Sequence, residues 1–128
     1  MRRVTGIGGI FLRANDHTAL KAWYQTHLGI DIADWGGTAF RWTDAAGAPY
    51  AGTTVWSVFK GESTYFAPST ARFMVNYRVE QCAALLDTLR AEGCNVVGGP
   101  DVSEMGTFGW VMDPEGNKIE LWEPPEGQ

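Results

Sequence analysis

At 128 residues and 14.0 kDa, with 45% apolar and 20% charged residues, the chain has the composition of one compact globular domain spanning 1–128. Its net charge of −5 and pI near 4.9 exclude the clustered basic face that nucleic acid demands, and no apolar run approaches the roughly 18 residues of a transmembrane helix. The two cysteines, Cys82 and Cys94, flank a predicted helix too widely for a disulfide and read as reduced thiols, so a cytoplasmic location is expected.

Ile7 to Ala14 alternates as a strand, with Ile10, Leu12 and Ala14 on one face and Gly9, Phe11 and Arg13 on the other. Asn15-Asp16 then offers an N-cap, and Leu20, Trp23, Tyr24 and Leu28 recur at helical spacing until Gly29, a good terminator. Three short β-like segments follow, Ile30 to Trp35, Ala39 to Thr43 and Thr53 to Phe59, split by Gly36-Gly37 and by Asp44 to Pro49. The first half therefore reads βαβββ.

Lys60 to Thr70, rich in Gly, Ser and Thr, is a surface connection whose Tyr65 and Phe66 are candidates to fold back over a pocket. It divides a repeat unit at 1–62 from one at 70–128, with 63–69 as the connector.

The second half repeats the order. Arg72 to Val79 is a predicted strand, Glu80 to Glu92 a helix whose buried stripe is Cys82, Leu85, Leu86 and Leu89, and Gly93 its terminator. Asn95 to Val97 is a short strand, Gly98-Gly99-Pro100 a loop, and Thr107 to Met112 and Lys118 to Glu123 are strands joined by a tight turn at Asp113-Pro114-Glu115-Gly116.

The repeat is visible in the residues themselves. Phe108-Gly-Trp110-Val-Met-Asp113-Pro-Glu-Gly116 echoes Phe40-Arg-Trp42-Thr-Asp44-Ala-Ala-Gly47, and Asp16, Ala19, Gly29 and Ile32 correspond to Glu80, Ala83, Gly93 and Val96, each 64 positions on. A half of about 60 residues buries too little apolar surface to stand alone. The two copies must share a sheet, and a cleft between them is the natural ligand site.

Strand alternation predicts that cleft's lining. Val75, Tyr77 and Val79 pack on the second helix and leave Met74, Asn76 and Arg78 on the inner face; Ile119 and Leu121 pack likewise and leave Lys118, Glu120 and Trp122. Glu120, Asn76, Arg78 and Arg13 form an expected polar cluster. Six tryptophans exceed what a small core requires, and Trp56, Phe59, Trp110 and Trp122 are assigned to the cleft wall with Met74. Glu120 has two readings, a general base or cation-binding carboxylate raised by desolvation, or a structural partner of Arg78 or Arg13.

The tandem βαβββ order, with Asp113-Pro-Glu-Gly-Asn-Lys-Ile-Glu120-Leu-Trp122 as closing hairpin and Tyr24-Gln-Thr-His-Leu28-Gly29 as first helix end, resembles the vicinal oxygen chelate superfamily. That group holds glyoxalase I, bleomycin-resistance proteins and extradiol dioxygenases. The resemblance implies an α+β fold of two tandem βαβββ units in a curved mixed sheet with a cleft, and a homodimer.

In metal-dependent members the ligands come from the first and last strands of each unit. Carried over, the last strand of the second copy supplies Glu120, whereas the other positions fall near Gly9, near Met74 and near Trp56 or Ser57. One carboxylate cannot furnish the three or four donors of a zinc, nickel or iron site. His17 and His27 lie roughly 15 Å apart along the first helix at 1.5 Å per residue, too far to chelate together. Cys82 belongs to a buried stripe, and Gly6-Ile-Gly8-Gly9 precedes no helix as a dinucleotide fingerprint would.

Two functions are carried forward. The first is cofactor-free binding of a small aromatic or amphipathic molecule in an aromatic cleft. The alternative is a lyase, isomerase or dioxygenase of the glyoxalase type using a divalent metal with Glu120 as one ligand.

Overall fold

A computed structural model describes residues 2–128. The elements run β1 (Val4–Ala14), α1 (His17–Leu28), β2 (Gly37–Thr43), β3 (Pro49–Lys60), β4 (Phe73–Val79), α2 (Cys82–Ala91), β5 (Asn95–Ser103), β6 (Gly106–Met112) and β7 (Lys118–Glu123). The strands form one curved mixed sheet of seven in the order β2-β3-β1-β4-β7-β6-β5. The two halves meet where β1 pairs antiparallel with β4, while β1 with β3 and β4 with β7 are parallel. No helix among the described residues is long and apolar enough to cross a membrane.

The sequence echo is reproduced bond for bond in two turns. In the first, Asp44 Oδ1 accepts from the N–H groups of Ala46 and Ala48, and Gly47 N–H donates to the Asp44 carbonyl. In the second, Asp113 Oδ1 accepts from Glu115 and Asn117, and Gly116 N–H donates to the Asp113 carbonyl. The side-chain amide of Asn117 adds a bond to Asp113 Oδ2 at 3.0 Å, and this amide above all holds that exposed carboxyl below its usual range.

Two strand expectations are corrected. Ile30 to Trp35 is not a strand, although Ile30 and Ile32 do face inward against the cluster under α1. A turn at Ala33 to Gly36 follows at once, so Ala33 N–H reaches the Gly37 carbonyl and no ladder develops. The first half is therefore βαββ. Conversely Gly98-Gly99-Pro100 is not a loop but part of β5, which pairs with β6 through two register shifts. Gly99 has φ 94°, and a Cβ there would stand 2.7 Å from the Phe108 carbonyl oxygen, so this bulge admits only glycine.

The helices cover one side of the sheet with unequal success. On α2, Cys82, Leu85 and Leu86 are buried against Val79 and Leu121, with Leu89 partly so. Its first turn lacks a side chain of its own as cap, and the Cys82 N–H is satisfied instead by Glu123 at 3.0 Å, from β7. Helix α1 is capped as expected, Asp16 accepting from Ala19 N–H at 3.0 Å, but buries no residue. Only Leu20 and Tyr24 of its predicted stripe pack on Leu12, Ala14, Trp56 and Val58. Trp23 and Leu28 are exposed, and a groove of about 660 Å³, lined in part by Trp23, separates the start of α1 from β1 and Phe73.

Candidate functional site

The face of the sheet away from the helices carries a third apolar cluster, Phe11, Phe66 and Met74, and above it a cleft of about 250 Å³. Phe11, Val55, Phe59, Tyr65, Met105, Phe108 and Trp122 line the cleft, with Gly8, Ser57, Asn76 and Glu120 as its floor and polar end. The connector builds one wall. Phe66 is buried between Phe11 and Met74, and that burial seats Tyr65 flat on Phe59, ring centroids 5.3 Å apart and planes within 16°. Lys118 Nζ donates to the Tyr65 carbonyl at 2.8 Å and holds the turn in place.

Glu120 lies at the centre and is 2% exposed. Its Oε1 accepts from the Tyr65 hydroxyl and from Trp110 Nε1 at 3.0 Å; its Oε2 accepts from Asn76 Nδ2 at 2.6 Å. The parallel register of β4 and β7 sets Asn76 directly opposite Glu120, so this bond follows from the pairing. A carboxylate only accepts, so the Asn76 amide must point its nitrogen at Glu120 and its oxygen away. That oxygen, buried and without a hydrogen-bond partner among the described residues, rests over Gly8.

A Cβ at Gly8 would stand 2.2 Å from Asn76 Oδ1 and 2.9 Å from Trp122 Cε3. Only glycine permits this close approach. A register shift between Ile7 and Gly9 brings Gly8 onto the inner face, a displacement that strict alternation along β1 could not foresee.

The electrostatics follow from burial. The Tyr65 phenol is pushed well above its ordinary range, first by desolvation and then by the negative charge of Glu120. The Lys118 ammonium lies 5.6 Å from the Tyr65 ring centroid and 5.7 Å from that of Trp110. Burial lowers its pKa while Glu120 opposes the shift.

The predicted site residues divide. Glu120, Asn76, Phe59 and Trp122 meet at the cleft, and Trp110 joins them through Glu120. Met74 is on the predicted face but lies beneath the floor, buried against Phe11 and Phe66. Arg78 is also on that face, held between Trp42 and Trp122 rather than paired with Glu120. Arg13 donates to the carbonyls of Thr70 and Ala71, so neither arginine is the partner expected for Glu120.

Trp56 is a correction. It packs on Leu12, Ala14, Val58 and the Tyr24 ring under α1, on the helix side of the sheet, and its neighbour Ser57 faces the cleft instead. Tyr65 folds back over the cleft as the connector suggested, but its bond to Glu120 was not foreseen. Its only sequence trace was an aromatic pair in a polar connector. His17 and His27 lie on α1, across the sheet from the cleft, and among the described residues no three His, Cys, Asp or Glu side chains converge.

Solved structures with this fold include methylmalonyl-CoA epimerase in complex with methylmalonyl-CoA and NH4+, with TM-score 0.71, 14% identity and 98% of both chains covered. Methylmalonyl-CoA epimerase from Mycobacterium tuberculosis gives TM-score 0.64 at 18% identity, covering 98% of this chain and 91% of that one. A halotolerant catechol dioxygenase gives TM-score 0.61 at 17% identity, covering 98% of this chain and 41% of its own. Such identities speak for the fold alone. No curated protein sequence matches significantly. The family model described as the Glyoxalase/Bleomycin resistance protein/Dioxygenase superfamily matches residues 6–121, nearly the whole length, and the chain belongs to that superfamily.

Proposed function

We propose that the chain binds a small aromatic or amphipathic molecule in the Glu120 cleft without a metal ion. The observation that carries this reading is the state of Glu120: three donors from Tyr65, Trp110 and Asn76 already engage its two oxygens, in a cleft walled by aromatic rings. A carboxylate so engaged holds walls together. At about 250 Å³ the cleft suits a ligand of one or two fused rings, near the lower end of small-molecule pockets.

The donor set does not fit the metals of the superfamily's enzymes. The four inner strands β1, β3, β4 and β7 present Gly8, Ser57, Asn76 and Glu120, that is one carboxylate with a hydroxyl and an amide. Zinc, nickel and iron sites take three or more imidazole, thiolate or carboxylate donors. At Gly8 a longer side chain would collide with Asn76 and Trp122.

The test is titration of the fluorescence of the six tryptophans with a panel of aromatic acids, amines and antibiotics, beside elemental analysis of protein purified without chelator or metal affinity. Saturable quenching by one compound and a metal-free chain support the reading. No response across the panel sinks it. Near-stoichiometric zinc, nickel, iron or manganese would instead favour a lyase, isomerase or dioxygenase with Glu120 as a ligand.

A homodimer in the cytoplasm completes the proposal. Exposed Trp23, Leu28, Trp35, Phe40, Tyr50 and Phe73 all belong to the first half or its border, and both cysteines are free thiols. Sedimentation equilibrium checks the stoichiometry.

A further inference from the structure

The cleft is one-sided in its hydrogen bonding. Its side-chain donors are engaged: the Tyr65 hydroxyl and Asn76 Nδ2 donate to Glu120, and Trp122 Nε1 donates to the Met105 carbonyl at 2.9 Å. Its acceptors are not all filled. A carboxylate offers about four lone-pair positions, and Glu120 accepts two bonds at Oε1 and one at Oε2. Asn76, 2% exposed, keeps an Oδ1 with no hydrogen-bond partner among the described residues; that oxygen lies over Gly8, which lines the cleft beside it. The Ser57 hydroxyl, from β3, can turn to either role. A buried carbonyl without a donor costs free energy, which a ligand N–H recovers on entering.

The charge has the same sense. Glu120 is the one charged side chain lining the cleft among the described residues. The groups that hold it, a phenol, an indole and an amide, are neutral, and none of the three ion pairs among the described residues involves it. The Lys118 ammonium does not line the cleft and is bonded to the Tyr65 carbonyl at 2.8 Å. Neutral donors spread the negative charge of a carboxylate without cancelling it, and away from bulk water that charge acts more strongly on whatever enters.

The walls suit a cation as well. Phe59 stacks on Tyr65, and Phe108 on Trp122 with ring centroids 6.2 Å apart and planes within 12°. Phe59 stands on β3 and Phe108 on β6, with β1, β4 and β7 between them as the floor. Aromatic faces carry partial negative charge and attract an ammonium group. We propose that the molecule held in the cleft is an aromatic ammonium, its ring between the two stacked pairs and its N–H groups toward Asn76 Oδ1 and Ser57, beside the Glu120 carboxylate. This deepens the reading of the cleft as a binding site and rests on it. An aromatic carboxylate brings no donor and carries a like charge, so the same cleft rejects it.

The experiment is isothermal titration, at pH 7, of three ligands of one shape into the wild-type chain and E120Q: naphthalen-2-ylmethylammonium, naphthalen-2-ylmethanol and naphthalene-2-carboxylate. The ammonium should bind the wild type at least about tenfold more tightly than the alcohol, and the carboxylate most weakly. In E120Q the advantage of ammonium over alcohol should fall to about threefold or less. Alcohol or carboxylate binding the wild type as tightly as the ammonium, or an undiminished advantage in E120Q, overturns the ammonium and leaves the cleft reading standing. Binding of none of the three to the wild type overturns both.

Should E120Q not fold, as near-UV circular dichroism would show, the wild type alone still decides. The methyl ether of the alcohol, which keeps the ring and the oxygen but has no donor, should bind at least about threefold less tightly than the alcohol. Equal binding of ether and alcohol overturns the proposal.

Discussion

The hydroxyl of Tyr65 donates to Oε1 of Glu120 across 55 positions of sequence, tying the connector between the two halves to the last strand of the sheet. Trp110 and Asn76 complete the same carboxylate from β6 and β4, so one buried side chain joins three strands' worth of structure to one loop. Replacing the phenol in Y65F removes a charge-assisted bond but keeps the ring on Phe59. Urea unfolding should show a loss of about 1–2 kcal/mol. Unchanged stability would mean that solvent replaces the phenol at no cost.

The same contact makes stability depend on alkaline pH. The folded-state pKa of Tyr65 is raised above its unfolded value, near 10, so the folded chain binds this proton more tightly. Its contribution is therefore fully present below pH 10 and is lost as pH rises toward the folded value. In a spectrophotometric titration at pH 11, phenolate absorbance should fall short of the four tyrosines of the chain until the protein unfolds.

Glu120→Gln gives the carboxylate's place to a group that must turn an N–H₂ toward at least one of its present donors. The expected cost is about 1–3 kcal/mol in urea unfolding, read against N76D, which sets two carboxylates against each other and should gain stability as pH falls. Under the metal-free reading, elemental analysis gives the same near-zero result for wild type and E120Q. Metal lost specifically from E120Q would reverse that reading.

Gly8→Ala introduces a Cβ 2.2 Å from Asn76 Oδ1, so the amide or Trp122 must move. Overpacking of this kind costs about 1–3 kcal/mol. Because the displaced groups form the cleft floor, the affinity for any cleft ligand should fall together with stability; a stable G8A variant with intact binding would show that the floor is more yielding than its geometry.

Helices α1 and α2 occupy equivalent places in the two halves but not equivalent environments. Leu86 is fully buried and abuts Gly99 and Gly109, so L86A should cost about 2–5 kcal/mol, whereas L20A, beside the open groove under α1, should cost less. Amide hydrogen exchange should be faster throughout α1 than α2. A dimer that covers the groove would narrow the difference as concentration rises.

Much of the cleft was legible because β4 and β7 each have a strand on both sides and a helix on one face. There, alternation alone separates Met74, Asn76 and Arg78, or Lys118, Glu120 and Trp122, from the residues under α2. On β3 alternation also holds, but Trp56 and Phe59, of opposite parity, were both assigned to the cleft. Val55, Trp56, Val58 and Phe59 are apolar on both faces, so hydrophobicity carries no phase, and Trp56 falls under α1 while Val55 and Phe59 line the cleft. At Ile30 and Ile32 alternation reported burial correctly but not pairing, since a strand also needs a partner within hydrogen-bonding reach over several residues.

The sequence by itself determined the order of most elements, the duplicated Asp-to-Gly turns, the α2 stripe and the inner-face placement of Glu120, because each depends on local periodicity or local hydrogen bonds. The tertiary structure alone decided that Glu120 is held by Tyr65, Trp110 and Asn76 rather than by Arg13 or Arg78, and that Arg78 lies between two indoles. Which donor reaches a buried acceptor depends on strand register, on the bulge at Gly8 and on the burial of Phe66 that carries Tyr65 into the cleft. Those are relations between segments distant in sequence, and no local pattern encodes them.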